Sequence, residues 1–181
     1  MAFLKYFILK ISQFYVKIQP SDIKRGKTMK NTTLCYLEKD GKYLMLHRIK
    51  KVNDENRDKW IGIGGKLEPY ESPFDGVRRE VYEETGLTLT KVDYRGIITF
   101  CSDLYGTEYM HLFTSSDFVG ELNESCDEGQ LEWVEKGEVT NLPIWEGDKI
   151  FFDLINRSSS FFSLKLVYEG DKLVSHTTEF I

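Results

Sequence analysis

GKLEPYESPFDGVRREVYEETGL, residues 65–87, holds the start, body and end of one helix, and it sets three glutamates where that helix would gather them. Ser72 can cap the first turn, Pro73 suits the first helical position, and Asp75 completes a Ser-x-x-acid capping box. Phe74, Val77 and Val81 recur at helical spacing as an apolar stripe, and Gly86 suits the left-handed residue past the end. The pattern predicts a helix from Pro73 to Glu84.

On that helix Glu80, Glu83 and Glu84 stand at i, i+3 and i+4 and share a face. Like charges at this spacing destabilise a helix by about 0.2–0.5 kcal/mol per pair. A hard divalent cation is one answer to that cost, because Mg²⁺ takes oxygen ligands and is commonly held by one or two carboxylates plus substrate phosphates. A solvated acidic face is the other reading, with Arg79 and Glu83 as an ordinary i, i+4 pair. Upstream, Trp60-Ile61-Gly62-Ile63-Gly64-Gly65-Lys66 reads as a short strand breaking into a glycine turn. Backbone there can approach a phosphate or a metal without Cβ obstruction, and its carbonyls are candidate ligands.

Taken together, Gly65, Glu71, Arg79, Glu80, Val81, Glu83, Glu84, Gly86 and Leu87 fill every defined position of a pattern that resembles the Nudix signature. The resemblance implies that Glu80, Glu83 and Glu84 bind Mg²⁺, or Mn²⁺, with the Gly64 carbonyl beside them, and that water attacks a phosphorus of a nucleoside diphosphate derivative. Arg79 would orient Glu71 or a neighbouring glutamate. Phosphoryl transfer asks for in-line positioning, charge neutralisation and a carboxylate to prime water, which agrees with this set. The implied fold is α+β, an α/β/α sandwich around a mixed β-sheet.

The remaining chain reads compatibly. Thr32 to Leu37 and Tyr43 to Arg48 are expected strands around a Lys39-Asp40-Gly41 turn, followed after the helix by Leu87 to Phe100 and Tyr109 to Phe118, joined by Cys101 to Thr107. An acidic loop from Gly120 to Gln130 precedes a short strand at Leu131 to Val134. Asp148 to Ile155 looks helical, and Leu164 to Tyr168 with Lys172 to His176 form a last hairpin. Strand runs with two inserted helices fit an α+β layer arrangement.

Substrate choice is read from outside the helix. Ile144-Trp145-Glu146-Gly147-Asp148 resembles the segment that recognises oxidised purines in MutT-like members of the family, where a tryptophan packs on the base and acids bond its edge. Trp145 and Asp148 match, while Gly147 stands where those enzymes carry a second acid, and Ile61 stands where they place an asparagine. An indole can cover a base face, and a carboxylate can accept from a guanine edge or donate when protonated. The alternative makes Trp145 a core aromatic and Asp148 a helix cap. The same comparison assigns Trp60, Gly65 and Lys66 to the substrate approach, Arg48 to a phosphate contact, and Glu128 to the metal. Relatives that cleave ADP-ribose carry a proline some way past the signature; none occurs here between Pro73 and Pro143.

The expected activity is therefore Mg²⁺-dependent hydrolysis of a nucleoside triphosphate to the monophosphate and pyrophosphate, sanitising an oxidised purine such as 8-oxo-dGTP. Dinucleoside polyphosphates, nucleotide sugars, canonical dNTPs and a non-catalytic nucleotide-binding role are the alternatives.

At 181 residues, 41% hydrophobic and 29% charged, the chain suits one domain, expected over residues 29–181. A net charge of −5 argues against nonspecific duplex binding. Cys35, Cys101 and Cys126 show neither disulfide nor zinc spacing, which fits a reducing cytoplasm, and His47, His111 and His176 form no ligand motif. Residues 1–28 mix apolar residues with Lys5, Lys10 and Lys17, with no run near the ~18 needed to span a bilayer. They are read as an N-terminal extension or an element packed on the domain, without membrane contact; the assembly expected is a monomer or homodimer.

Overall fold

Alternation along the first two strands splits the interior into two cores. The computed structural model describes residues 29–50, 54–123 and 126–181, so the reading of residues 1–28 lies outside the described residues. Strands β1 (Lys30–Lys39) and β2 (Lys42–His47) are joined by Asp40 and Gly41, both at positive φ (51° and 78°), the two-residue turn whose twist matches a hairpin. Tyr36, Tyr43 and Met45 enter one core; Cys35, Leu37, Leu44 and Leu46 enter the other. The period of two thus feeds both faces of one sheet.

Beyond them run β3 (Trp60–Ile61), α1 (Pro73–Thr85), β4 (Thr88–Ser102), β5 (Gly106–Val119), β6 (Gln130–Glu135), a single 3₁₀ turn (Val139–Asn141), α2 (Glu146–Arg157), β7 (Phe162–Glu169) and β8 (Lys172–Phe180). The sheet order is β3-β2-β1-β5-β4-β7-β8, with β6 on β2. β1 with β5 and β4 with β7 are parallel, while the other pairs are antiparallel, so the sheet is mixed. α1 covers one face through Val77 and Val81, and α2 the other through Phe151, Phe152 and Ile155, giving an α/β/α sandwich. Each such side chain, fully buried, contributes roughly 1.5–3 kcal/mol.

Helix α1 begins as its sequence predicts. The Ser72 hydroxyl accepts from the Asp75 amide (3.2 Å), Asp75 accepts from the Ser72 amide (3.0 Å), and Pro73 opens the helix. Such a cap stabilises by about 1 kcal/mol. Gly86 at φ 74° closes the other end, its amide donating to the Tyr82 carbonyl at 2.8 Å. Phe74 departs from the expected buried stripe: it is 38% exposed and lies edge-on against Tyr94 and Phe113, and Gly76, Val77, Val81 and Thr85 form the buried face.

Element ends differ from expectation where side chains give no local signal. β4 and β5 extend until Ser102 pairs with Gly106, leaving a three-residue turn in place of the longer loop. α2 starts two residues before Asp148 because Trp145 takes the cap position. Of the 60–66 segment, Trp60 and Ile61 pair with β2; the chain then crosses to β1, with bridges at Cys35 to Ile63 and Thr32 to Lys66. That crossing brings the glycine turn alongside β1. Among the described residues no helix is long and apolar enough to cross a membrane.

Candidate active site

The last turn of α1 is built against local preference. Glu83 and Glu84 occupy the negative end of the helix dipole with no basic residue in that turn, an arrangement that costs rather than stabilises. Arg79 is the compensating group. Its Nε and Nη2 clamp Glu71 at 2.7 and 2.9 Å, Nη1 donates to Glu80 at 2.9 Å and to Glu83 at 3.0 Å, and Nη2 also reaches the Lys66 carbonyl at 3.0 Å. One guanidinium therefore ties the helix to the turn before it. The hydrogen bonds from Arg79, joined by the Glu68 amide, lower the Glu71 pKa to about 2. The Arg79 pKa is itself raised, chiefly by Glu71.

Glu84 has no share of Arg79. Its carboxylate accepts from the Gly64 amide at 3.2 Å, which joins helix to glycine turn. Burial, with the charges of Glu128 and Glu80 nearby, lifts its pKa to about 8. Burial also raises that of Glu80, against the opposing pull of Arg79. The two glycines are required by close approach: a Cβ on Gly64 would sit 2.1 Å from the Thr33 carbonyl oxygen, and one on Gly65 would sit 2.5 Å from the Glu80 carboxylate.

Glu80 and Glu84 line a cavity of about 490 Å³ together with Gly64, Gly65, Lys66, Arg48 and Glu128, and with Trp145 and Asp148. Glu83 opens with Glu80, Glu84 and Glu128 onto an adjoining acidic cleft. Arg48 is paired with Asp54 at 2.6 Å and with Glu128, so the cation read as a phosphate contact is held between two acids. Trp60 lies apart from the cavity lining, stacked on His47 at 4.5 Å between ring centres, because β3 pairs it across from His47. Arg79 and Glu71 stand behind the acids rather than in the cavity.

The donors fit a hard cation in kind. Glu80, Glu84 and Glu128 offer carboxylate oxygens beside the glycine turn, and Gly65 leaves open the space that a Cβ would share with Glu80. Among the described residues no three acids, histidines or cysteines converge as a ready cage. Mg²⁺ asks for less, since one or two carboxylates suffice when waters and phosphates complete its shell.

In the same lining, Trp145 donates from Nε1 to Asn56 Oδ1 at 2.7 Å and carries the Lys59 ammonium 4.3 Å above its ring. Phe100, Tyr105 and Tyr168 surround it edge-on at 5.8, 6.2 and 5.4 Å. Asp148 is buried, and burial lifts its pKa to about 7 despite a backbone hydrogen bond at Trp145 and the charge of Lys59. Gly147 has no room to be anything else: a Cβ would lie 2.5 Å from Leu166 and 2.8 Å from the Tyr168 hydroxyl, which accepts from the Gly147 amide.

Residues unread in the sequence complete the lining, among them Asn56, Phe100, Tyr105, Glu108 and Met110. A signal existed for Glu108, an acid two residues before Met110 and four before Leu112 on the apolar face of β5. Asn56 and Tyr105 lie in loops and had none.

The NUDIX domain family model matches residues 28–155. The uncharacterized Nudix hydrolase YvcI of Bacillus subtilis (strain 168) is 31% identical over 131 residues, 70% of this chain and 79% of that protein. The oxidized purine nucleoside triphosphate hydrolase of Danio rerio is 31% identical over 152 residues, covering 82% of this chain and 94% of its own. Among solved structures, the mutator MutT protein from Bacillus halodurans aligns with a TM-score of 0.74 at 29% identity, covering 83% of this chain and 97% of that one.

Proposed function

The chain belongs to the Nudix family, and on that premise we propose that it is a Mg²⁺-dependent nucleoside triphosphate pyrophosphohydrolase acting on an oxidised purine such as 8-oxo-dGTP. One observation carries this reading: the Glu80 and Glu84 carboxylates of α1 and the Trp145–Asp148 pair line the same cavity. A ligand with its phosphates at the glycine turn can place a base against the indole. The similarity to the oxidized purine nucleoside triphosphate hydrolase of Danio rerio supports the same substrate class.

In the proposed reaction water adds to phosphorus, the α–β anhydride bond breaks, and pyrophosphate leaves with the bridging oxygen. Glu80, Glu84 and Glu128, with the Gly64 carbonyl, would hold a divalent cation, which when bound neutralises phosphate charge and acidifies water. The chain's own work is positional. Arg79 locks Glu71, Glu80 and Glu83 in place, and the Gly64 amide fixes Glu84. One of Glu80, Glu83 and Glu84 accepts the proton of the attacking water. Trp145 covers a base face, and Asp148 accepts from a base N–H, or donates to a carbonyl when protonated, which a pKa near neutrality permits.

A product-resolved panel of oxidised and canonical nucleotides, dinucleoside polyphosphates and nucleotide sugars, run with Mg²⁺ and with Mn²⁺, tests the reading. The expected result is monophosphate and pyrophosphate, with the highest kcat/KM on an oxidised purine. Absence of metal-dependent pyrophosphate release from every nucleotide would falsify it.

A further inference from the structure

Glu108 is an acid on an apolar floor. Its neighbours along the same face of β5 are Met110 and Leu112, both packed in the α2-side core, and its partners across the sheet are Lys30 on β1 and Phe100 on β4. The side chain is 20% exposed and lines the same cavity as Trp145. Phe100 itself meets the Trp145 ring, so Glu108 stands one strand from the aromatic platform. An apolar side chain would fit this floor without the cost of withdrawing a charge from water.

The structure fixes the carboxylate but does not exhaust it. Thr32 Oγ1 donates to Oε1 at 2.7 Å, and the Lys30 ammonium lies 3.9 Å from Oε2 while pairing with Glu55. A carboxylate offers about four acceptor positions, so this one keeps capacity for a donor arriving in the cavity. Asp148 approaches from the helix layer and Glu108 from the sheet layer, and the cavity thereby has an acid in each wall.

We propose that Glu108 is a specificity-determining residue: its carboxylate accepts a hydrogen bond from an N–H or O–H donor of the nucleoside and favours ligands that carry one there. The inference rests on the nucleotide-hydrolase reading of this cavity. Two sources share that chemistry, a base amino group and a ribose hydroxyl, and nucleotide pairs separate them. dGTP and dITP differ by the exocyclic amine; GTP and dGTP differ by the 2′-hydroxyl.

The test measures binding by calorimetry in Ca²⁺ and kcat/KM in Mg²⁺ for both pairs, using the full chain, Glu108→Leu and Glu108→Gln. The parent should favour the donor-bearing member of one pair by roughly 10- to 100-fold, the range of a hydrogen bond to a charged group. In Glu108→Leu that preference should fall to within about twofold, through weaker binding of the donor-bearing member alone. Glu108→Gln, which keeps a carbonyl acceptor and the Thr32 contact, should retain part of it and serves if the leucine variant does not fold. Equal losses for both members, an unchanged preference, no preference in the parent, or no binding of any of the four would overturn the proposal. Binding with the expected discrimination but no hydrolysis would overturn only the catalytic reading, because the calorimetry does not depend on turnover.

Discussion

Asp148→Asn should stabilise the protein by an amount that grows with pH while weakening nucleotide binding. Asp148 is 8% exposed, and burial lifts its pKa from 3.8 to about 7. The folded chain thus holds this proton more tightly than the unfolded chain. Below about pH 4 both states are protonated and the group costs nothing; between about pH 4 and 7 only the folded state keeps the proton, so stability falls as pH rises. Above the folded pKa the loss is constant. Integrated between those two pKa values, the cost is about 2 kcal/mol at pH 5 and about 4 kcal/mol at pH 8. Asparagine does not ionise, so the advantage of the variant should widen by about 2–3 kcal/mol across that range. For a chain of this size it corresponds to roughly 5–10 °C in Tm. Thermal melts of both proteins at pH 5, 6, 7 and 8 measure it, and kcat/KM on 8-oxo-dGTP should fall roughly 10- to 100-fold in the variant. A Tm difference independent of pH would refute the buried, raised carboxyl; an unchanged kcat/KM would remove Asp148 from substrate recognition.

Glu83→Gln should lower kcat by orders of magnitude with Tm nearly unchanged, since Glu83 is more than half exposed and its contact with Arg79 is one of five; full activity in that variant would remove its assigned role. Gly65→Ala should fold yet lose activity, because its Cβ would press on the movable end of Glu80, whereas Gly64→Ala should fail to fold or melt much lower, because its Cβ meets the Thr33 backbone; melting and turnover of the pair distinguish the two glycines. Gly147→Asp should lower stability by about 1–3 kcal/mol, as overpacking against Leu166 and Tyr168, and should not improve 8-oxo-dGTP hydrolysis; denaturant melts and kcat/KM check both. Chelation with EDTA should abolish pyrophosphate release and added Mg²⁺ or Mn²⁺ should restore it, read by product-resolved chromatography.

What the sequence made legible was local. Ser72, Pro73, Asp75 and Gly86 specify the ends of α1 through bonds no more than four residues apart, so the shared face of Glu80, Glu83 and Glu84 followed from helical geometry alone. The β1–β2 hairpin was legible in the same way, from the Lys39-Asp40-Gly41 turn between two apolar runs. The cavity's remaining walls depend on partners distant in the chain. Arg48 is neutralised by Glu128 from the loop before β6, and Gly147 is closed in by β7; neither constraint is visible along one segment. Trp60 turned onto His47 because its register with β2, not its distance from the glycine turn, decides which way the indole faces.

The places where the chain departs from local rules coincide. Acids sit at the negative end of α1, Glu84 is partly buried and Asp148 buried, both with raised pKa values, and Glu108 interrupts an apolar face. Each costs stability on its own terms, and Glu84, Asp148 and Glu108 border one cavity, whose lining among the described residues holds seven acids against three cations. One of those cations, Arg48, is already shared between Asp54 and Glu128. A polyphosphate approaching such walls alone meets like charge, so the cavity suits that ligand only when positive charge arrives with it or ahead of it. Departures of this kind, clustered where the rest of the fold is locally consistent, are the mark of a functional site rather than of faulty packing. The same electrostatic excess that makes these residues poor structural choices gathers carboxylate oxygens along one cavity, and carboxylate oxygens are the donors a hard cation takes.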